Sequence, residues 1–194
     1  LNLRRAWELN YQHGIPGLKA QFKVEDFQTL DKTIKDADKP YARLPQFLLN
    51  YVTGNAQGLQ YEFNNDTAYF KKSIEDDSAL ESSGTRIYNQ LAMRYNYITP
   101  SWFYAIPEVS VRTVNTFYDQ DSQNGRGFSS DDLEKSVVVP QLSFATGITF
   151  EKEGKYLQSI SPRAFYAYAP YRNQENHPNF DTTTASISYD QLFN

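Results

Sequence analysis

The stretch that decides the fold is Ser161-Pro-Arg-Ala-Phe-Tyr-Ala-Tyr-Ala-Pro-Tyr-Arg-Asn-Gln174. Up to Pro170, apolar residues and prolines occupy its even positions, whereas the odd positions are mixed and begin with serine and arginine. A repeat of two with one apolar face predicts a β-strand. Tyrosines crowd the end of this strand, and a long polar run follows them up to Asn194. This arrangement is typical of a strand that leaves an apolar layer through an aromatic belt.

The same alternation recurs along the whole chain. Short turns are predicted at residues 14–17, 53–58, 99–101 and 151–154, and long polar segments at 31–40, 71–84, 119–134 and 172–194. Outer-membrane barrels are connected in this way, with short periplasmic turns and long extracellular loops. The sequence therefore predicts an all-β fold, an antiparallel meander of about eight long strands from a large transmembrane β-barrel. Strands from the middle of a large barrel lack the register to close on themselves, so we expect an open curved sheet.

Composition narrows the class of protein. The 194 residues include 15 Tyr and 13 Phe at only 40% hydrophobic content, as expected where apolar residues occupy alternate positions. No run of about 18 apolar residues exists, which excludes a transmembrane helix. A net charge of −4 argues against a nucleic-acid-binding protein, and the absence of cysteine excludes disulfides within these residues. A soluble β-sandwich would show the same alternation.

Several motifs resemble one family of outer-membrane proteins. The quoted stretch keeps a Pro-Arg, a Tyr and a Pro-Tyr-Arg landmark, and Leu-Phe follows near the C-terminus. With Tyr41-Ala-Arg-Leu-Pro-Gln46 and Val139-Pro-Gln-Leu142, these motifs resemble the C-terminal barrel of the LptD family, the lipopolysaccharide (LPS) assembly proteins also called organic solvent tolerance proteins. The resemblance runs from about Tyr41 to the end. The chain departs from the family pattern at Ser161, where an acid is usual, and in having Ala167 and Ala169.

The resemblance implies a location and a function. Members of the family lie in the outer membrane of Gram-negative bacteria and, with the plug lipoprotein LptE, insert LPS into the outer leaflet. They receive LPS from a periplasmic bridge through a jelly-roll domain, and they are neither enzymes nor cofactor-binding proteins. Residues 1–194 then correspond to a partial barrel domain without that N-terminal jelly roll and without the terminal seam strands, so no gate residue is transferred. An unrelated porin or receptor barrel and a soluble extracellular β-sandwich binding module are the alternatives.

Charged residues on the polar strand faces are candidates for binding. They alternate in sign and comprise Glu8, Lys19, Lys23, Glu25, Glu62, Asp66, Arg86, Arg94, Glu108, Arg112 and Arg163. Given the resemblance, these side chains would line the barrel lumen, where a cation cluster of Arg86, Arg94, Arg112 and Arg163 would contact LPS phosphates or the plug. Each arginine could instead pair with a carboxylate on a neighbouring strand. In a soluble sandwich the same residues would form a solvated face.

Four prolines, Pro45, Pro107, Pro140 and Pro162, lie within predicted strands. Each proline removes a ladder donor, so it marks an edge, a bulge or a locally weakened barrel wall. We expect a structural role for them, because these strands lie away from the seam that the family uses for lipid exit.

The sequence gives little support for metal binding or catalysis. His13 and His177 stand alone without the spacing of metal ligands. The acidic residues Asp119, Asp121, Asp131 and Asp132 lack an EF-hand pattern and predict solvated loops rather than a calcium site. No nucleophile elbow, zinc motif or P-loop is present, so no catalytic site is predicted.

Overall fold

A computed structural model describes residues 2–31, 33–34, 39–72, 83–99, 102–119, 134–154 and 156–172. No helix in these ranges is long and apolar enough to cross a membrane. The described residues form ten strands: β1 (Asn2–Tyr11), β2 (Leu18–Thr29), β3 (Ala42–Gly54), β4 (Gly58–Lys71), β5 (Gly84–Ile98), β6 (Phe103–Tyr118), β7 (Glu134–Ile148), β8 (Phe150–Lys152), β9 (Gln158–Ile160) and β10 (Arg163–Tyr168).

Eight of the strands in the described ranges form one sheet in the order β1-β2-β3-β4-β5-β6-β7-β10. Every neighbouring pair is antiparallel. The all-β meander of about eight strands is therefore confirmed. Strands β1 and β10 are the two edges, and no pairing joins them within the described residues, so the sheet is open there.

The connection between β7 and β10 differs from the prediction. A short turn at residues 151–154 was expected to lead directly into a long final strand, but β8 and β9 form a separate two-stranded hairpin between them. The final strand β10 has only six residues, Arg163–Tyr168. Two three-residue strands carry too little alternation to be recognised in the sequence. Most of the predicted long loops at 71–84, 119–134 and 172–194 lie outside the described residues.

Tight turns connect the strands where the sequence carries glycine. Gly17, between β1 and β2, has a φ of 79°, and its carbonyl accepts a 2.9 Å hydrogen bond from the Val52 amide of β3. A side chain at this position would meet the Val52 carbonyl oxygen at 1.9 Å. Glycine is therefore required both by the left-handed backbone and by the close approach of the neighbouring strand.

The strands are tilted relative to the level of their turns. Tyr11, the last residue of β1, starts a row of paired residues that continues through Ala20, Leu49, Asn65, Asn89 and Thr113. Thr113 lies ten residues above Phe103, the first residue of β6. The row therefore climbs by about two residues at each strand, as in a sheet that follows a barrel wall.

Candidate functional site

Pairing separates the side chains of the main sheet into two faces of opposite character. We call the outer face the one that carries Trp7, Phe47, Leu91, Val109 and Leu142, and the inner face the one that carries the alternate residues. The apolar outer face is the exposed one: Trp7 is 57%, Leu91 58% and Leu142 48% accessible. Large apolar side chains thus face away from the compact side of the sheet, the reverse of a soluble protein.

The inner face is polar and much less exposed. Its buried residues are Glu25, Gln46, Ala68, Phe70, Ala92, Ser110, Thr116 and Ser143. No second layer of described residues covers either face. Inner side chains must therefore shield one another, which requires a sheet curved toward its polar face.

Glu25 is the centre of an ion-pair network on the inner face of β1–β3. It is 4% exposed, and its carboxylate binds Arg4 Nε, Lys23 Nζ at 2.6 Å and Arg43 Nη1 at 3.4 Å. The register between β2 and β3 shifts beside Glu25, between Lys23 and Glu25. One carboxylate thus connects three strands at the point where regular pairing is interrupted.

A second network lies on the inner face nearer the short turns, where Arg94 of β5 contacts two acidic residues. Its guanidinium binds Glu62 of β4, and its Nε lies 3.3 Å from Glu108 of β6. Further from the short turns on β5, Arg86 lies 3.9 Å from Asp66 and 4.8 Å from the centre of the buried Phe70 ring. These arginines are therefore paired across strands, the arrangement that competes with ligand binding.

The four arginines proposed as a cation cluster do not lie together. Through the pairs Arg86↔Thr116, Gln90↔Arg112, Arg94↔Glu108 and Tyr104↔Gly147↔Arg163, they occupy four levels of the inner face. Successive levels are four residues apart along the strands, or about 14 Å. We call this arrangement the arginine ladder. It has Arg163 at the end near the short turns and Arg86 at the opposite end.

Arg112 differs from Arg94 in having no ion pair with the described carboxylates. The Nε of each is buried without a hydrogen-bond partner among the described residues, and the same holds for the hydroxyl of Ser110, two positions before Arg112. Ser110 and Arg112 both lie on the inner face of β6, since residues two apart on a strand point the same way. Unsatisfied buried donors of this kind require an acceptor, either solvent or a bound group.

An open cavity of about 400 Å³ occupies the inner face of β1–β5. Side-chain amides dominate its polar lining, and they pair across strands: Gln21 donates to Asn10 at 2.8 Å, and Asn50 donates to Asn64 at 2.6 Å. Each primary amide keeps further donors and acceptors for a ligand. We call this cavity the amide groove. Two charged residues, Lys19 and Asp66, also line the groove, whereas the four arginines of the ladder all lie outside it on β5–β10.

The four strand prolines have different surroundings. Pro45 lies in the register shift between Arg43 and Gln46, which is a bulge. Pro107 lies where the β5–β6 ladder has no paired residues, although the register is the same on both sides. Pro140 lies beyond the last β7–β10 pair, and Pro162 precedes β10, with its carbonyl accepting the Ile148 amide at 3.1 Å. Each proline thus occupies a place where a ladder donor is dispensable.

The remaining candidates that the structure describes do not form a metal site. No group of three His, Asp or Glu side chains suited to a metal occurs in the described ranges. His13 lies in the β1–β2 turn with a φ of 76°, and Asp119 accepts a 2.6 Å hydrogen bond from Tyr69. His177, Asp121, Asp131 and Asp132 lie outside the described residues.

Two features of the inner face are absent from the sequence predictions. The convergence of three cations on Glu25 depends on the bulge, and the amide groove depends on the register of five strands. The sequence signal for the groove is the density of amides at Asn10, Gln21, Asn50 and Asn64.

Comparison with known proteins agrees with this architecture. The family model described as "LptD: LPS transport system D" matches residues 1–194. The chain is 75% identical over its whole length to the LPS-assembly protein LptD of Acinetobacter baumannii, of which it covers 24%. It is 69% identical to the LPS-assembly protein LptD of Acinetobacter baylyi and 42% identical to that of Psychrobacter cryohalolentis, in both cases over 100% of this chain.

The match extends from the first residue to the last, so it includes β1 and β2 as well as the motifs recognised in the sequence. The chain spans about a quarter of the length of the Acinetobacter relatives. On the strength of the family match and these identities, the chain belongs to the LptD family.

Proposed function

We propose that this chain is part of the barrel wall of an outer-membrane LPS translocon in a Gram-negative bacterium. The observation that carries the proposal is the polarity of the sheet, with an exposed apolar outer face and a compact polar inner face, in a chain 75% identical to an LPS-assembly protein. An apolar face that meets lipid and a polar face that lines a lumen give this arrangement. The translocon would insert LPS into the outer leaflet.

The proposal includes partners. An LptE-like plug lipoprotein would occupy the lumen beside the inner face, and bridge components in the periplasm would deliver LPS through a jelly-roll domain elsewhere in the protein. Residues 1–194 would then form a middle portion of the barrel domain, between seam strands supplied by other parts of the chain. The strand prolines keep a structural role in this proposal, because each lies where pairing is already interrupted or ends.

The arginine ladder is the proposed contact for anionic sugars of LPS or for the plug. Arg94 and Arg86 have carboxylates within 4.0 Å, so they offer a ligand less free charge than Arg112, which makes no ion pair with the other described residues. We therefore assign the main contact to Arg112. A guanidinium binds phosphate through two parallel hydrogen bonds when its donors are available.

The two alternative functions are disfavoured. A soluble β-sandwich needs a second sheet over the apolar face, and the described residues provide none. An unrelated porin or receptor barrel does not account for a family match over residues 1–194.

The function is tested with the full-length protein. In cells depleted of the chromosomal copy, expression of the protein should restore LPS at the cell surface. Detergent-solubilised protein should co-purify with LPS and a plug lipoprotein. Failure of both assays, together with a protein that stays soluble without detergent, would refute the proposal.

The role of Arg112 is tested separately. The Arg112→Gln variant should lower the amount of LPS that can be photocrosslinked to the inner face. Arg5→Gln is the matched control, because Arg5 lies on the outer face and donates to Gln28. Equal LPS crosslinking in the two variants would remove Arg112 from the path without contradicting the translocon function.

A further inference from the structure

The apolar part of the outer face changes in width from strand to strand. It comprises Pro45–Tyr51 on β3, Leu59–Phe63 on β4, Leu91–Tyr97 on β5, Phe103–Val111 on β6 and Val138–Ile148 on β7. The stretch has seven residues on β3 and five on β4, and it then grows to seven, nine and eleven on the next three strands. At about 3.4 Å per residue, it lengthens from about 14 Å on β4 to about 34 Å on β7.

Only on the last two of these strands is the apolar stretch long enough to cross an ordinary bilayer. A tilted strand needs about 9–11 residues to cross the hydrocarbon layer. Strands β6 and β7 satisfy this requirement, whereas β4 provides about half of it and β3 and β5 fall about two residues or more short. Thr146 does not interrupt the β7 stretch, because its hydroxyl donates to the Tyr104 carbonyl at 2.8 Å.

The apolar stretches differ in length because they end at different positions on the side away from the short turns, which we call the upper side. The lower ends of these stretches all lie within a few residues of a short connection, at Tyr51, Leu59, Tyr97, Phe103 and Ile148. The upper ends differ, because the apolar stretch is followed by Asn65 and Thr67 above Phe63 on β4, by Asn89 above Leu91 on β5, and by Thr113 and Asn115 above Val111 on β6. Beyond the first polar residue, the outer face carries apolar or aromatic side chains only singly, at Tyr69, Ile87 and Phe117.

The polar residues on β4 and β5 form an ordered surface. Asn65 donates to Asn89 at 2.8 Å and to the Tyr88 carbonyl at 3.3 Å, and Thr67 donates to Asn65 at 3.2 Å. Side-chain amides and hydroxyls in this network keep further capacity for hydrogen bonds to water or lipid headgroups. Hydrocarbon offers no such partners, so burying the network in the acyl layer would be unfavourable.

We infer that the outer leaflet of the membrane dips along β3–β5, so that lipid headgroups reach Asn65 and Asn89 while the bilayer keeps its ordinary thickness at β7. This inference rests on the proposed outer-membrane location. Bilayers adapt to short apolar stretches by thinning, at a modest cost for each ångström of mismatch. The occupant of the polar surface is the headgroup layer, because the surface continues directly from the apolar lipid-facing stretch of the same strands.

Spin labels measure the dip in the full-length protein reconstituted into dioleoyl-phosphatidylcholine vesicles. Asn65→Cys and Leu142→Cys are a matched pair, since each lies six residues above the lower end of its apolar stretch, at Leu59 or Ile148. The ratio of oxygen to nickel-chelate accessibility reports depth. The label at 142 should lie about 10 Å below the upper limit of the hydrocarbon, and the label at 65 should lie at headgroup level.

A second variant tests the cause. Asn65→Leu with Asn89→Leu extends the apolar stretch upward, so a label introduced by Thr67→Cys should move deeper into the bilayer. Asn64→Leu is the control, because Asn64 lies on the inner face, and it should leave the depth at 67 unchanged.

The spin-label results distinguish failure of the inferred dip from failure of the proposed membrane location. Equal depth at 65 and 142 would overturn the dip while leaving the membrane-facing surface intact. A label at 65 that neither oxygen nor nickel reaches would also overturn it and indicate a protein contact. Nickel access at 142 would instead contradict the proposed membrane location on which the inference rests.

Discussion

Replacing Leu142 by arginine tests the assignment of the two faces. Leu142 lies on the outer face of β7, four residues below Val138 and six above Ile148. These separations are about 14 Å and 20 Å along the strand, so the nearer hydrocarbon edge is about 10 Å away in depth for a strand tilted by about 45°. An arginine side chain covers part of that distance by extending toward the headgroups, and the rest remains as an energetic cost.

The expected cost is about 2–4 kcal/mol, the range for arginine near the midplane of a barrel wall. This corresponds to a roughly thirty- to several-hundred-fold decrease in the folding equilibrium constant. The neighbouring Gln141→Arg substitution is the matched control, because Gln141 pairs with Ser110 on the inner face. Gln141→Arg adds the same charge to a polar surface, so we expect little change in stability.

The assay follows the full-length protein. Heat-modifiable gel mobility of outer-membrane fractions gives the folded amount, and denaturant titration in phospholipid vesicles gives the free energy of unfolding. Leu142→Arg should lower both quantities, and Gln141→Arg should lower neither. The reasoning is refuted if Leu142→Arg folds normally, because an arginine on a water-facing strand would cost almost nothing. It is equally refuted if Gln141→Arg is the more damaging variant.

Two further substitutions examine the interior of the wall by the same denaturant titration. Glu25→Gln removes the charge that binds three cations and should cost about 2–3 kcal/mol, whereas Glu8→Gln breaks an exposed pair and should cost about 0–1 kcal/mol; equal costs would show that the Glu25 network is not structural. Gly147→Ala places a methyl group 2.5 Å from the Tyr104 ring and should cost about 1–3 kcal/mol through overpacking. Gly154→Ala is its control, since the added group meets only one atom, at 3.9 Å; a Gly147→Ala variant as stable as this control would mean that the ring moves freely.

Alternation was sufficient to predict the main sheet. Outward residues such as Trp7, Phe22 and Tyr61 follow a period of two, and each of the first six long strands ends at a turn or polar segment visible in the sequence. The family landmarks at Pro162-Arg163 and Pro170-Tyr171-Arg172 then distinguished a barrel wall from a sandwich, which alternation alone does not do. The hairpin of β8 and β9 was missed because three-residue strands leave no periodic signal.

The sequence alone could not predict the relative positions of residues on different strands. Arg86, Arg94, Arg112 and Arg163 share a face by parity, and parity alone led to the prediction of one cluster. Their separation into four levels depends on which residues pair, and pairing depends on turn lengths and on the bulge at Pro45. The same holds for Glu25, whose three cations come from positions 4, 23 and 43.

The two faces share one register, which couples their properties. Each strand is shifted by about two residues relative to its neighbour, so residues that pair across successive strands lie at different distances from the short turns. The amide groove lies on the inner side of β1–β5, and the narrow apolar stretch lies on the outer side of β3–β5. The wall is therefore polar on both sides at the level of Asn64 and Asn65, and apolar on its outer side at Leu142. A register change at the Pro45 bulge would move both surfaces together, so a substitution that alters the bulge should change lumen contacts and membrane depth in the same variant.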